Sequence, residues 1–403
     1  MEIKPTVVMM GLGYIGLPTA ALIASKGLNV TGVDISQHVV DTINQGKIHI
    51  VEPELDGLVH YVVKEGYLKA ATKPIMANVY LIAVPTPFKD NHVPDLSYVE
   101  SAVKNIIPTL QKGALVILES TSPVGTTHKI QELIFKERPD LKGEIFIAYC
   151  PERVLPGNVI YELEQNDRAI GGIDDESTEK AVWFYKHFVK GELHKTNSQT
   201  AEMCKLVENS SRDVQIAFAN ELSMICDKAN INVWELIRLA NKHPRVNILQ
   251  PGTGVGGHCI AVDPWFIVSE FPEESKIIRS AREINNYKTE WAIEKVKNTA
   301  LQFKIEHGRD AVIACMGLAF KPNIDDLRES PALRVSQQLD ADGFNVLFVE
   351  PNLNSHDQFK LTSLTEAKNI CDIMVFLVAH KEFKGLNGEI QMQVLDFCGI
   401  INK

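Results

Sequence analysis

Residues 7–34 read Val7-Val-Met-Met10-Gly11-Leu-Gly13-Tyr14-Ile15-Gly16-Leu-Pro18-Thr-Ala-Ala-Leu-Ile-Ala-Ser-Lys26-Gly-Leu-Asn29-Val-Thr-Gly-Val33-Asp34. Four apolar residues predict a buried strand, and the apolar run after Gly16 predicts a helix. Gly11 permits the tight turn between them, Gly13 lets a pyrophosphate approach the helix N-terminus, and Gly16 lets helix and strand pack closely. A second strand, Asn29–Val33, ends at Asp34, 18 residues beyond Gly16. A carboxylate there binds adenosine ribose hydroxyls and repels a 2′-phosphate. Ile35-Ser36-Gln37 offers no Arg to hold such a phosphate, so NAD is expected in preference to NADP. A Gly-rich turn with an incidental Asp is the competing reading, and the strand–turn–helix–strand context weighs against it.

Outward from this unit, strands at Val79–Val84, Leu115–Leu118 and Ile145–Ala148 alternate with helices at Gln37–Gln45, Tyr98–Leu110 and Lys129–Glu137. Such alternation implies right-handed crossovers and a mostly parallel sheet covered on both faces. From about Thr200 the chain turns helical: Ala201–Lys228, free of Gly and Pro, then Val233–Asn241 and Glu274–Phe303. The last part returns to alternation, with strands Ala311–Met316, Asn345–Val349 and Ile373–Val378 and a helix at Pro331–Asp340. Its turn is Gly317-Leu-Ala-Phe320 and its second strand ends in Glu350, a reduced echo that argues against a second NAD. The expected fold class is α/β: two Rossmann-like parallel-sheet domains, 1–199 and 306–403, joined by a helical central dimerisation domain, 200–305.

The 403 residues are ordinary in apolar and charged content and carry a net charge of −10. That balance, with no basic block, speaks against nucleic acid or an anionic membrane as partner. Seven scattered cysteines without a C-x-x-C imply no disulfide framework and a reducing, cytoplasmic setting. The apolar N-terminus carries Glu2, three glycines and Pro18, which suits a strand and helix better than a signal peptide.

Three polar loops follow predicted strands: Val84-Pro85-Thr86-Pro87, Glu119-Ser120-Thr121-Ser-Pro-Val-Gly125 and Cys150-Pro-Glu152-Arg153. They are expected along one sheet edge, beside the nicotinamide end of the cofactor. Glu202, Lys205, Asn209 and Arg212 share one face of the long helix, where a solvated stripe is the plain alternative. In Gly254-Val-Gly256-Gly257-His258-Cys259-Ile-Ala-Val-Asp263, glycines leave the Cys259 thiol approachable. The other six cysteines are expected to be buried small hydrophobes. A thiol of pKa ~8.5 needs a neighbouring cation to act as nucleophile. A metal held by His258, Cys259 and Asp263 lacks a fourth ligand and the usual spacing, so none is expected.

Together with Phe320-Lys321-Pro-Asn-Ile-Asp-Asp326-Leu-Arg328-Glu-Ser-Pro331, these motifs resemble, in order and over the whole chain, the nucleotide-sugar 6-dehydrogenases, which include UDP-glucose and GDP-mannose dehydrogenases. Cys150-Pro-Glu-Arg153-Val-Leu-Pro-Gly157 and His243-Pro-Arg245-Val-Asn-Ile-Leu-Gln-Pro251 are similar to the N-acetylhexosamine branch. The resemblance implies oxidation of a UDP-N-acetylhexosamine at C6, UDP-N-acetyl-D-mannosamine first, by two hydride transfers to NAD through a Cys259 thiohemiacetal and thioester. UDP-N-acetylglucosamine or UDP-glucose, a two-electron dehydrogenase with Cys259 in a core, and an inactive nucleotide-sugar-binding regulator stay open.

By the same resemblance, Lys205 and Asn209 stabilise an oxyanion, Asp263 and Thr121 position water, and Glu152 is a base. Gly11, Gly13, Tyr14, Ile15, Gly16, Asp34, Pro85, Thr86, Thr121 and Arg328 contact cofactor. Substrate falls to Glu152, Arg153, Lys205, Asn209, Arg212, His243, Arg245, Gly256 and Lys321, with Arg245 reaching across a homodimer interface. The chain departs from many relatives in carrying His38 where they have a basic residue after the ribose-binding acid.

Overall fold

The opening stretch folds as β1 (Val7–Met10), helix α1 (Gly16–Ser25) and β2 (Val30–Val33). The structure, a computed structural model, describes residues 4–50, 52–89, 93–154, 157–257, 259–386 and 392–401. Two compact units form, 1–207 and 208–403.

In the first unit the further elements are α2 (Gln37–Asn44), α3 (Leu55–Lys64), β3 (Leu68–Ala71), β4 (Val79–Ile82), α4 (Ser97–Ile106), β5 (Leu115–Leu118), α5 (Thr126–Glu137), β6 (Phe146–Tyr149), α6 (Val159–Gln165), β7 (Arg168–Gly172), α7 (Asp175–Tyr185) and β8 (Leu193–Asn197). The sheet order is β3-β2-β1-β4-β5-β6-β7-β8, parallel throughout except where β6 meets β7. The central strands are apolar at every position because both sheet faces are covered. Val7 and Met9, Val79 and Leu81, and Leu115 and Ile117 pack into one core. Val8 and Met10, Tyr80 and Ile82, and Val116 and Leu118 pack into the other. Truncating such a fully buried side chain, Ile117→Ala for instance, costs about 2–5 kcal/mol.

The sequence reading misses β3, β7 and β8. Leu68-Lys-Ala-Ala has no β-branched residue, β8 is a polar edge strand, and β7 opens on a buried arginine.

Helix α8 (Ser198–Ala229) spans the unit boundary. Asn197 caps its start by accepting from the Thr200 N–H at 2.8 Å. Asn230, at φ 56°, ends it in the left-handed conformation that asparagine tolerates. The second unit continues with α9 (Val233–Ala240), α10 (Asp263–Glu270), α11 (Lys276–His307), β9 (Val312–Met316), α12 (Pro331–Ala341), β10 (Asn345–Val349), α13 (Leu364–Ile370), β11 (Ile373–Phe376) and β12 (Gln393–Asp396). Its sheet, β10-β9-β11-β12, is parallel throughout. The α/β class with two parallel-type sheets and helices between them is thus as expected.

Candidate active site

Registers align the C-terminal ends of the central strands: Met10 opposite Ile82, Ile82 opposite Leu118, Leu118 opposite Tyr149. All loops that follow therefore leave from one edge. At β1 the turn is built as its glycines predict. Gly11 sits at φ 92°, and a Cβ on Gly16 would lie 1.9 Å from the Gly11 carbonyl oxygen. A Cβ on Gly13 would meet no described atom within 4 Å, so the backbone there opens onto free space. Among the described residues no side chain caps α1 and no acid lies in its first turn. The Leu17 and Thr19 N–H groups go to the Gly13 and Ile15 carbonyls at 3.1 Å, and the helix start presents its positive dipole end with no acid to neutralise it, the environment a pyrophosphate needs. Asp34 accepts from the Leu12 N–H at 3.1 Å and the Ser36 N–H at 2.9 Å, which pins its carboxylate beside the turn. Tyr14 is exposed, and His38 is exposed on α2.

The next loops are tied to each other. The Ser120 hydroxyl donates to the Val84 carbonyl at 2.8 Å and accepts from the Val84 N–H at 3.0 Å. The Thr86 hydroxyl donates to the Thr121 carbonyl at 2.7 Å, leaving Pro85 exposed at the rim. Glu202 departs from the solvated-stripe alternative. It is fully buried and accepts from the Gly125 N–H at 2.6 Å, the Thr127 N–H at 2.8 Å and the Thr127 hydroxyl at 2.6 Å. Burial pushes its carboxyl up and these donors oppose the shift. It caps α5 from a distance of some seventy residues and so braces the loop that carries Thr121. Lys205, one turn further along α8, is half-buried.

Glu152 is buried; Oε1 accepts from the Arg153 N–H at 2.6 Å and Oε2 from Arg168 at 3.1 Å. The Arg153 side chain itself turns to the Asp167 carbonyl.

In the second unit Asn209 donates its amide to the Asp263 carboxylate at 2.5 Å, joining α8 to the start of α10. Cys259 opens the turn into α10, its carbonyl accepting the Val262 and Asp263 N–H groups. It is the exposed cysteine of the seven, which removes the core reading of this residue. Cys150, Cys226, Cys315 and Cys371 are buried, as expected; Cys204 and Cys398 are half-buried instead. Burial pushes the Cys150 and Cys315 thiols up to about 12. The glycines before Cys259 serve packing: a Cβ on Gly256 would lie 2.3 Å from the Glu329 carbonyl oxygen, and one on Gly257 would strike the Phe320 ring. The Gly257 N–H donates to the Arg328 carbonyl at 3.3 Å, so the Cys259 loop lies against the loop of Lys321 and Arg328. The Arg328 guanidinium is paired with Asp326 and Lys321 is half-buried. Arg212, His243 and Arg245 are exposed, the last two on the loop after α9, where the His243 ring accepts from the Arg245 N–H. His258 lies outside the described residues.

The echo of the nucleotide site in the second unit is internally satisfied. Glu350, where Asp34 would stand, is buried; Oε2 accepts from the Leu318 N–H at 2.7 Å, the Ala319 N–H at 3.0 Å and His380 at 3.0 Å. Its carboxylate is consumed by the turn and cannot also hold a ribose.

The family model for the UDP-glucose/GDP-mannose dehydrogenase NAD binding domain matches residues 5–189, the central-domain model 199–287 and the UDP binding domain model 314–401. The chain belongs to this family. As a UDP-glucose/GDP-mannose dehydrogenase family member it is an NAD-dependent oxidoreductase. It is 55% identical over 415 aligned positions to the UDP-N-acetyl-D-mannosamine dehydrogenase of Escherichia coli K12, covering 98% of this chain and 99% of that one. It is 54% identical to the NDP-N-acetyl-D-galactosaminuronic acid dehydrogenase of Ralstonia nicotianae, covering 95% and 92%. Among solved structures, the UDP-D-ManNAc dehydrogenase of Pyrococcus horikoshii superposes with a TM-score of 0.86 at 38% identity, covering 99% of this chain and 96% of that one. No helix among the described residues is long and apolar enough to cross a membrane.

Sequence reasoning misses Arg168 and Tyr185, which surround Glu152 and Glu119. The signal for Arg168 is a charged residue at the head of a strand, and Arg-Ala-Ile-Gly-Gly carries too little apolar pattern to mark β7 as one.

Proposed function

We propose that this family member oxidises the C6 alcohol of UDP-N-acetyl-D-mannosamine to the uronate, a four-electron reaction with NAD, for surface polysaccharide biosynthesis. The observation that carries the reading is Cys259: an exposed thiol at the mouth of α10, with the Asn209–Asp263 pair four residues on. The similarity to the Escherichia coli enzyme supports this sugar, and the nearly equal similarity to the Ralstonia enzyme favours another N-acetylhexosamine as the second reading.

The Gly11–Gly16 turn with its open backbone at Gly13, the uncapped start of α1 and Asp34 suit NAD, with Tyr14, Ile15, Pro85, Thr86, Thr121 and Arg328 as further contacts. NAD, when bound, accepts the hydrides that leave sugar C6. Lys205 helps remove the C6 hydroxyl proton, and with Asn209 it stabilises oxygen charge on the aldehyde-level species. The Cys259 thiolate adds to the aldehyde carbon, so the intermediate cannot escape before its second oxidation to a thioester. Asp263 and Thr121 position a water, Glu152 takes its proton, and the C–S bond breaks to release the carboxylate and the thiolate. Arg153, Arg212, His243, Gly256 and Lys321 hold the substrate, and Arg245 does so from the partner of a homodimer. Exposed Phe218 and Ile225, seven residues apart on α8, with Ile231 and Leu239, support such a pairing face. The three domains 1–199, 200–305 and 306–403 would then serve NAD, dimerisation and UDP.

The test is a panel of UDP- and GDP-sugars with NAD or NADP, scored by NADH formed and by product identity. UDP-N-acetyl-D-mannosamine should react fastest and yield two NADH per sugar. A ratio of one removes the covalent route, and binding without any NADH identifies a regulator instead.

A further inference from the structure

We propose that Arg168 is the positioning residue for the Glu152 carboxylate, clamping and aiming it; this rests on the reading of Glu152 as the water-activating base. The fold explains how the two meet. Strand β7 runs antiparallel to β6, with Ala148 opposite Gly172 and Tyr149 opposite Gly171. Continuing that register three residues past the end of β6 brings Glu152 opposite Arg168. A parallel β7 would start at the other edge of the sheet, so its antiparallel pairing with β6 is what brings this arginine to the loop edge.

The contacts are specific. Arg168 is 3% exposed; it donates through Nη1 to Glu152 and through Nη2 to the Leu163 carbonyl at 3.0 Å. Its guanidinium lies 5.5 Å from the Tyr185 ring centre, and the Tyr185 hydroxyl donates to Glu119 at 2.5 Å. The groups around the pair are thus Glu119 from the end of β5, Cys150 from the end of β6 and Tyr185 from α7. A guanidinium buried among a thiol, a phenol and carboxyls needs one ionised partner. Glu152 is the carboxylate that touches it, while the Arg153 N–H fixes the other oxygen. Burial first, and the charge of Glu152 as well, push Glu119 up to about 7 against the pull of Arg168. Near neutrality Glu119 is therefore protonated in part and held by the Tyr185 hydroxyl, which leaves Glu152 as the carboxylate facing the guanidinium.

The experiment compares wild type, Arg168→Lys, Arg168→Gln, Glu152→Gln and the Arg168→Gln/Glu152→Gln double variant, with NAD and UDP-N-acetyl-D-mannosamine. A buried carboxylate that loses its cationic partner holds a proton more readily, so the acid limb of the kcat–pH profile of Arg168→Gln should lie at higher pH than that of wild type. Its kcat at neutral pH should fall about tenfold with KM within about twofold, Arg168→Lys should recover most of the loss, and the loss should vanish in the Glu152→Gln background. An unmoved acid limb, or a full additional loss in that background, overturns the proposal. Melting temperature reads the pair without activity. Arg168→Gln should lower it, and Glu152→Gln in that background should restore part of the loss, because both partners are then removed together. Additive losses in the double variant overturn the pairing. A wild type that forms no NADH overturns the functional reading, and the melting arm still decides the ion pair.

Discussion

Glu350→Gln is the most quantitative test of the second unit. Burial alone would raise this carboxyl, but the hydrogen bond from His380 and those from the Leu318 and Asn352 N–H groups outweigh it and hold it down to about 2. An ordinary glutamate in the unfolded chain titrates near 4.5. A folded pKa below the unfolded one contributes stability that is complete above the unfolded value and is lost as pH falls through the folded value. A shift of about 2.5 units corresponds to about 3.4 kcal/mol at pH 7 and, by the same linkage, about 1.4 kcal/mol at pH 3. The amide of Gln must also point N–H groups at donors on one side, because Oε1 of Glu350 accepts from Asn352 while Oε2 accepts from the turn and His380. The variant should therefore lower the melting temperature of the second unit by about 7–14 °C at pH 7, taking about 2–4 °C per kcal/mol for a unit of this size. The assay is calorimetry of both proteins between pH 3 and pH 7, with amide exchange of Leu318 and Ala319 assigning the transition to this unit. The gap between wild type and variant should shrink by about 2 kcal/mol at the acid end. An unchanged gap would refute the reasoning, since it would make Glu350 a packing residue and not a charge acceptor.

Glu202→Ala should destabilise the first unit by about 3 kcal/mol, because two buried donors of Thr127 and the half-buried Gly125 N–H lose their acceptor; amide exchange at Gly125 and Thr127 should accelerate, and a loss below about 1 kcal/mol would show that water replaces the cap. Asp34→Asn should weaken NAD about tenfold or more in equilibrium titration and narrow the preference over NADP, the expected loss for a charged hydrogen bond. Unchanged affinity would remove Asp34 from the ribose site. Cys259→Ala should abolish uronate formation while NAD affinity stays within about twofold; loss of NAD binding would contradict its assigned role.

How far the site could be read from sequence follows the range of the forces involved. The Gly11–Gly16 turn was legible because its requirements are local: a positive φ at Gly11 and a close backbone approach at Gly16, both met within six residues. The central strands were legible because a continuous apolar run of strand length is buried on both faces. Asp34 was legible by its spacing. Edge strands β3 and β8 were not, since a strand held by a neighbour's hydrogen bonds needs little apolar signal of its own.

The sequence by itself determined the α/β class, the nucleotide-type turn and the loops that carry candidate chemistry, because each depends on residues within one or two turns of chain. The tertiary structure alone decided what the charged groups do. Glu202, one of four polar residues on a helix face, became the cap of α5; Glu350 became the closed counterpart of Asp34 through His380, thirty residues away. Arg168 met Glu152 only because β7 reverses direction. A buried charge takes its state from whichever partner the fold brings within about 3 Å, and that partner is set by register and packing over long chain separations.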